Sequence, residues 1–285
     1  MRLLTSLGGL AAASMATLLS GAAFGQGLET VGRPLPKGIG FQPPVTEIAR
    51  DLQFLDHMIL IIISVIVVFV TGLLIYVIFR YNARANPKPA SFTHNAPLEV
   101  AWTLIPIVIL VFIGAFSLPV LFKQVEIPAA DLTVKITGNQ WYWNYEYPEE
   151  GVIFDSFLIG DGKVMTPEVE AQLVAAGYVK EDFLLATDTA LVVPINKVIS
   201  VQLTGSDVIH GWMVPALGMQ MSAVPGRLSQ LWFKAEREGV YFGQCSALCG
   251  KDHAYMPITV KVVSQQAYDA WLAAAKAGNV VLASN

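Results

Sequence analysis

The only two cysteines of the chain lie in residues 245–256, together with a histidine and a methionine. Cys245, Cys249, His253 and Met256 follow the spacing C-x3-C-x3-H-x2-M. Thiolate, imidazole and thioether groups are soft ligands that suit copper in electron transfer. His210, earlier in the chain, is a further candidate ligand. These residues predict a soft-metal site.

The number of thiolates decides which kind of site is expected. A blue-copper site uses one cysteine, two histidines and a weak axial methionine, whereas this chain offers two cysteines. Two thiolates could bridge two metals, each completed by one histidine and a weak donor, either Met256 or a backbone carbonyl between the cysteines. A Cys245–Cys249 disulfide, or a zinc site of two cysteines and two histidines, remains an alternative from the residues alone.

Three apolar segments determine where these ligands lie relative to a membrane. Residues 1–25 have the pattern of a signal peptide, with Arg2, an apolar run and small residues at 23 and 25. Residues 58–79 and 100–122 contain no charge, and each is long enough to cross a bilayer as a helix. The loop 80–97 carries basic residues and no acid, which predicts a cytoplasmic loop. The part that follows the second span is then periplasmic in a bacterium.

The pattern divides the chain into five segments. They are a signal peptide at 1–25, a periplasmic N-terminal segment at 26–56, a transmembrane helical hairpin at 57–122, a β-domain at 123–264 and a C-terminal helix and tail at 265–285. Alternating apolar residues predict strands at 132–137, 144–147, 198–204, 228–234, 239–242 and 258–263. Helices are expected at 166–177 and 265–277. A transmembrane hairpin plus an all-β domain that resembles a cupredoxin is the predicted fold class.

Charge is unevenly distributed along the chain. From residue 123 onward there are 17 Asp and Glu against 11 Lys and Arg. An acidic face can steer a basic soluble partner toward its site, although acidic residues also simply keep a domain soluble. We expect no nucleic-acid partner.

With these elements in place, the chain resembles subunit II of the bacterial, CuA-containing haem–copper cytochrome c oxidases. The resemblance rests on residues 92–103, 138–147, 207–210 and 223–227, which match family segments in order. It implies a binuclear copper centre, CuA, with Cys245 and Cys249 as bridges. His210, His253, Met256 and the backbone carbonyl of Ala247 would complete the ligand set.

The resemblance also implies a function and partners. The chain would be the electron-accepting subunit of a proton-translocating respiratory oxidase, receiving electrons from cytochrome c and passing them to haem in subunit I. Oxygen would be reduced in subunit I, not here, and the partners would be subunits I and III, cytochrome c and the lipid bilayer.

Further residues acquire roles only through the family. Trp141 would accept the electron from cytochrome c, while Trp143 is expected in the sheet core. Glu99, with His94 nearby, would stand at the mouth of a proton pathway into subunit I. The acids that resemble docking residues for cytochrome c are Glu146, Asp155, Asp188 and Asp207.

The sequence departs from the family pattern in and near residues 245–256, the copper loop. Ala247 stands where the family has a glutamate that binds a magnesium ion shared with subunit I. Since an alanine side chain offers no oxygen to a hard cation, this magnesium is doubtful. Gln220 and Ser222 stand where the family has a lysine and an aspartate.

One alternative function is a membrane-anchored copper chaperone of the Sco type. That family also has C-x3-C and a distant histidine. It has, however, a thioredoxin-like α/β domain and a single span, and it gives His253 and Met256 no role.

Overall fold

The computed structural model describes residues 27–160 and 163–281. The signal peptide predicted at residues 1–25 therefore lies outside the described residues.

Two long helices form the predicted hairpin: α1 spans Glu47–Arg80 and α2 spans Ala96–Val125. Both are long and apolar enough to cross a membrane. Each starts at a capping side chain, because Thr46 accepts a hydrogen bond from the backbone N–H of Ala49 and Asn95 accepts one from that of Leu98. Lys123 at the end of α2 pairs with Glu47 at 2.8 Å, which ties the two helices together outside the apolar stretch.

The helix boundaries differ from the predicted ones. Helix α1 begins within the segment 26–56, which the sequence placed before the hairpin. Its first turns pack on the β-domain rather than facing lipid, since Ile48, Ala49 and Leu55 are buried. The non-helical connection is residues 81–95, slightly shorter than the predicted loop 80–97.

The rest of the described chain is mainly β-structure, with one short strand before the hairpin and ten after it. The strands are β1 Thr30–Gly32, β2 Leu132–Asn139, β3 Tyr142–Tyr147, β4 Val152–Ser156, β5 Leu191–Pro194, β6 Ile199–Gly205, β7 His210–Val214, β8 Met219–Ala223, β9 Ser229–Phe233, β10 Gly239–Cys245 and β11 Pro257–Val263. Two short helices complete it, α3 at Pro167–Ala175 and α4 at Gln265–Lys276.

The strands form two mixed sheets packed around one core. One sheet has the order β5-β11-β10-β7-β8, with β1 added beside β10, and the other has the order β4-β3-β2-β6-β9. Alternate residues along β2 and β3 are buried, as expected for strands with one face on a core. Trp143, Tyr145, Trp212 and Tyr241 are among the fully buried side chains. Trp143 thus lies in the core, as predicted.

All six predicted strands and both predicted helices exist, and the predicted fold class is confirmed. The sequence pattern missed β1, β4, β5, β7 and β8. Strand β5 is buried on both faces and does not alternate, so a test for alternation cannot detect it. Strands β7 and β8 are five residues each and contain one β-branched residue between them, so their sequence signal is weak.

The hairpin and the β-domain meet at the start of α1. The hydroxyl of Thr46 donates to the carbonyl of Leu217 at 2.8 Å, and Val45 N–H donates to the carbonyl of Ala216 at 3.0 Å. Gly218 has a φ of +69°, and a Cβ there would stand 2.7 Å from the Cα of Ala49. These close contacts hold the β-domain against the N-terminal end of α1.

Candidate metal centre

The candidate ligands come from three neighbouring parts of one sheet. His210 is the first residue of β7, Cys245 is the last of β10, and the connection from β10 to β11 carries Cys249, His253 and Met256. Strands β7 and β10 are antiparallel, with Trp212 opposite Cys245. This register brings the beginning of one strand beside the end of the other.

The side chains of these residues converge on one point. The ligand atoms of His210, Cys245 and Cys249 all lie within 4.8 Å of one another. The two Sγ atoms are 3.9 Å apart, and both cysteines are free. From Cys249 Sγ, the Sδ of Met256 is at 3.4 Å and the Nδ1 of His253 at 3.5 Å. The structure thus places all five predicted side-chain donors in one cluster.

The backbone carbonyl of Ala247 also lies beside the cluster. Its carbonyl oxygen lies 3.3 Å from Cys245 Sγ and so faces the cluster. Its side chain carries no oxygen, as the sequence already indicated.

Burial and an unpartnered nitrogen show that the cluster fits a metal. His210 is fully buried, Cys245 and Cys249 are 6% and 4% exposed, and Met256 is 1% exposed. Within the described residues, Nδ1 of His210 has no hydrogen-bond partner. A buried polar atom without a partner is costly, and a metal held by thiolates, imidazoles and a thioether would remove that cost.

The protonation of the two thiols is unequal. Burial raises the pKa of Cys245, but the closeness of His210 and the backbone N–H of Gly211 outweigh it and bring the pKa to about 7. Burial and the neighbouring Cys245 raise the pKa of Cys249 to about 12. Two adjacent thiolates repel each other, so a bound cation is the natural way to keep both ionised.

Asp207 fixes the orientation of the His210 ring. Its Oδ1 lies 2.8 Å from Nε2 of His210, and its Oδ2 accepts the backbone N–H of Gln140 at 2.8 Å. Metal-binding histidines commonly donate their second ring N–H to a carboxylate. With Nε2 engaged in this way, Nδ1 is left facing the cysteines.

Two side chains from the β2–β3 turn contact the copper loop. Trp141 Nε1–H donates to the carbonyl of Cys249 at 3.2 Å, and the amide of Gln140 donates to the same oxygen at 2.8 Å. Trp141 is partly buried, while Gln140 is exposed. Gln140 was not predicted to make this contact, because its only signal in the sequence is its position next to Trp141.

Two glycines allow the close approach of these strands. A Cβ at Gly138 would stand 2.8 Å from Cδ2 of His210. A Cβ at Gly211 would overlap with Ser246 Oγ and stand 2.9 Å from the backbone nitrogen of Ala247. Neither glycine was predicted to matter at the site, although Gly211 directly follows the candidate ligand His210.

Three of the four predicted docking acids lie on or beside the outer face of the second sheet. Glu146 pairs with Lys135 at 2.8 Å. Asp155 accepts a hydrogen bond from Asn144. Partial burial, and to a smaller extent the charge of Asp155, raises the pKa of the neighbouring Asp188. Asp207 is apart from them, in the metal centre.

Glu99 and His94 lie at the loop end of the hairpin, away from the metal centre. The carboxylate of Glu99 accepts the backbone N–H of Asn95 at 3.0 Å and so helps to begin α2. His94 precedes the helix and is exposed.

Comparison with known proteins identifies the family. The model for the periplasmic domain of cytochrome c oxidase subunit II matches residues 132–263, and that for its transmembrane domain matches residues 34–120. The chain is 58% identical over 291 residues to the cytochrome c oxidase subunit 2 of Cereibacter sphaeroides, with 100% of this chain and 96% of that protein covered. It is 37% identical to the corresponding Arabidopsis thaliana protein, with 83% and 89% covered.

A solved structure is also similar. The periplasmic domain of subunit II of cytochrome oxidase from Bradyrhizobium japonicum is 45% identical, with a TM-score of 0.45, and the match covers 54% of this chain and 99% of that one.

These matches confirm the resemblance predicted from the motifs, and they leave no place for the copper chaperone alternative. Two membrane-spanning helices are followed by a periplasmic domain that holds a histidine–cysteine metal-site candidate. The chain belongs to the cytochrome c oxidase subunit II family and is a subunit of a haem–copper oxidase.

Proposed function

We propose that this chain is the electron-accepting subunit of its oxidase and that it holds a binuclear CuA centre. Cys245 and Cys249 would be the shared ligands of the two coppers, His210 and His253 would each complete one, and Met256 and the Ala247 carbonyl would be weak donors. The proposal rests on the convergence of five buried or half-buried side-chain donors, one of which is the unpartnered Nδ1 of His210. Bound there, two bridged coppers would supply electron transfer with little rearrangement of their ligands.

Trp141 is the residue proposed to receive the electron from cytochrome c. It is partly exposed, and its indole N–H is hydrogen-bonded to the carbonyl of Cys249, one of the proposed bridging ligands. Trp143 is fully buried and donates to the carbonyl of Met256 at 3.3 Å. Of these two tryptophans, Trp141 is therefore the one that connects the surface with a proposed bridging cysteine.

Cytochrome c is proposed to dock beside Trp141, on the face that carries Asp155, Asp188 and Glu146. Apolar side chains accompany these acids, since Ile153 is 62% exposed and Phe157 is 44% exposed and stacks on Tyr142. Acidic groups around apolar contacts suit a basic soluble partner, which the acids attract at long range. Glu146, already paired with Lys135, contributes least to this field.

The membrane part is proposed to bind subunits I and III within the bilayer. Glu99 is proposed to deliver protons to a pathway in subunit I, with His94 beside it. In an assembled oxidase, Glu99→Gln is expected to slow proton-coupled turnover while leaving the copper spectrum unchanged, and unchanged turnover would contradict this role. Position 247 supplies no magnesium ligand, so that any shared magnesium ion would be completed there by water.

Electron uptake by the assembled oxidase tests the proposal. Reduced cytochrome c is mixed rapidly with the complex, and the reduction of the copper centre and of haem are followed separately. Removal of a bridging thiolate by Cys249→Ser is expected to abolish both. A variant complex that still reduces haem at the unaltered rate would show that electrons do not pass through this site.

A further inference from the structure

We propose that Lys163 is a positioning residue for the candidate ligand His253. Its ammonium group extends from the segment 157–190, which connects β4 and β5, to the turn that carries His253. There it forms an ion pair with Asp252 and lies 4.2 Å from the centre of the Tyr255 ring. One cation thus contacts residues on both sides of His253.

The turn that carries His253 has little support of its own. Residues 253–255 form a single 3-10 turn. Asp252, which precedes the turn, makes no capping hydrogen bond through its side chain. Two backbone hydrogen bonds hold it, from His253 to Gly250 at 3.3 Å and from Tyr255 to Asp252 at 2.8 Å. Hydrogen bonds in such turns are poorly aligned. Contacts from outside the turn must therefore contribute to the position of the imidazole.

The last two candidate ligands of the copper loop, His253 and Met256, are held differently. Met256 is 1% exposed and is fixed by the core, whereas His253 and Asp252 are only partly buried. The ion pair of Lys163 is also partly buried, with side chains 31% and 24% exposed. A partly desolvated ion pair and a cation–π contact made by the same group are stronger together than an exposed pair.

The segment that carries Lys163 is packed against the β-domain. The segment 157–190 has its own apolar cluster, in which Ile159, Leu173 and Tyr178 pack with Val240 and Phe242 of β10. Since β10 ends at Cys245, the same strand supports the cysteines and the segment that carries Lys163.

The backbone of Lys163 is itself unusual. Its φ of +59° lies in the left-handed region, which residues with a side chain rarely adopt. From this backbone position the side chain reaches Asp252 and Tyr255 of the turn.

The test compares Lys163→Met with Lys180→Met in the full chain. Lys180 lies in the same segment and pairs with Glu170 at 2.9 Å, but this pair is exposed and does not touch the turn. In the metal-free chain, amide hydrogen exchange over residues 250–257 is expected to be faster in Lys163→Met only. Exchange over β10 should be unchanged in both.

Copper retention gives a second measurement, which rests on the proposed CuA centre. The rate of copper loss to a chelator is expected to rise about tenfold in Lys163→Met, the lower end of the effect of removing outer support from metal ligands. Lys163→Arg, which keeps both contacts, should restore most of the retention. Asp252→Asn removes the ion pair from the other side, and the same direction of change is expected even if Lys163→Met folds poorly.

The two proposals fail in different ways. If the unaltered chain binds no copper, the CuA proposal fails, but hydrogen exchange still tests the role of Lys163. Equal exchange and equal copper loss in Lys163→Met and Lys180→Met would overturn the positioning role.

Discussion

The carboxylate of Asp207 lies 2.8 Å from Nε2 of His210, at the back of the candidate metal centre. Partial burial raises the pKa of Asp207, but hydrogen bonds with His210, Val208 and Gln140 outweigh it and lower the pKa. Asp207 is thus ionised at neutral pH and accepts the Nε2 proton. This interaction selects the tautomer of His210 that presents Nδ1 to the cysteines. Asp207, which resembles a docking residue of the family, therefore also orients the candidate ligand His210.

Replacement of Asp207 by asparagine should weaken copper binding. The amide is a poorer acceptor for the imidazole N–H, and we expect copper affinity to fall about tenfold or more. Copper release from the full chain measures this effect, with Asp155→Asn as a control that also removes one exposed acid. Equal copper retention by the two variants would show that Asp207 acts only in docking.

Replacement of Trp141 by phenylalanine should slow electron uptake from cytochrome c. The change removes the hydrogen bond to Cys249, and we expect the rate to fall by at least tenfold, equivalent to about 1.4 kcal/mol in barrier height. The matched control is Trp232→Phe, because Trp232 is also partly buried and donates its indole N–H to a backbone carbonyl, that of Lys123 at 3.1 Å. Stopped-flow reduction measures both, and an equal decrease would indicate general destabilisation.

Neutralisation of the docking acids should reduce the salt dependence of association with cytochrome c. Asp155→Asn and Asp188→Asn each remove a charge that is not in an ion pair within the described residues. Glu146→Gln should have a smaller effect because Lys135 already offsets its charge. The association rate is measured across ionic strengths. An unchanged salt dependence in both Asp155→Asn and Asp188→Asn would place the docking face elsewhere.

Gly218→Ala should destabilise the joint between α1 and the β-domain. The added Cβ would stand 2.7 Å from Ala49 Cα, and such overpacking costs about 1–3 kcal/mol in the free energy of unfolding. Gly226→Ala is the matched control, since its φ of +75° is similar but its Cβ would meet no atom within 4 Å. Thermal unfolding of the full chain in detergent should therefore show the larger loss for Gly218→Ala.

The sequence allowed the fold class and the five side-chain donors to be predicted because their signals are local. Apolar runs identify the spans, and four of the donors fall within residues 245–256. Gln140 and Lys163 escaped prediction because they reach the copper loop through contacts 109 and 89 residues apart in the chain. The first turns of α1 lie before the predicted span and were not predicted as helix for the same reason, since they are buried by the distant residues 216–218.

The most direct test of the central claim is the copper content and paramagnetic spectrum of the purified, oxidised full chain. A binuclear centre predicts two coppers per chain and a seven-line hyperfine pattern, because one unpaired electron is shared by two equivalent copper nuclei. Both should be lost in Cys249→Ser. A single copper with a four-line pattern, or a colourless protein with a Cys245–Cys249 disulfide, would contradict it.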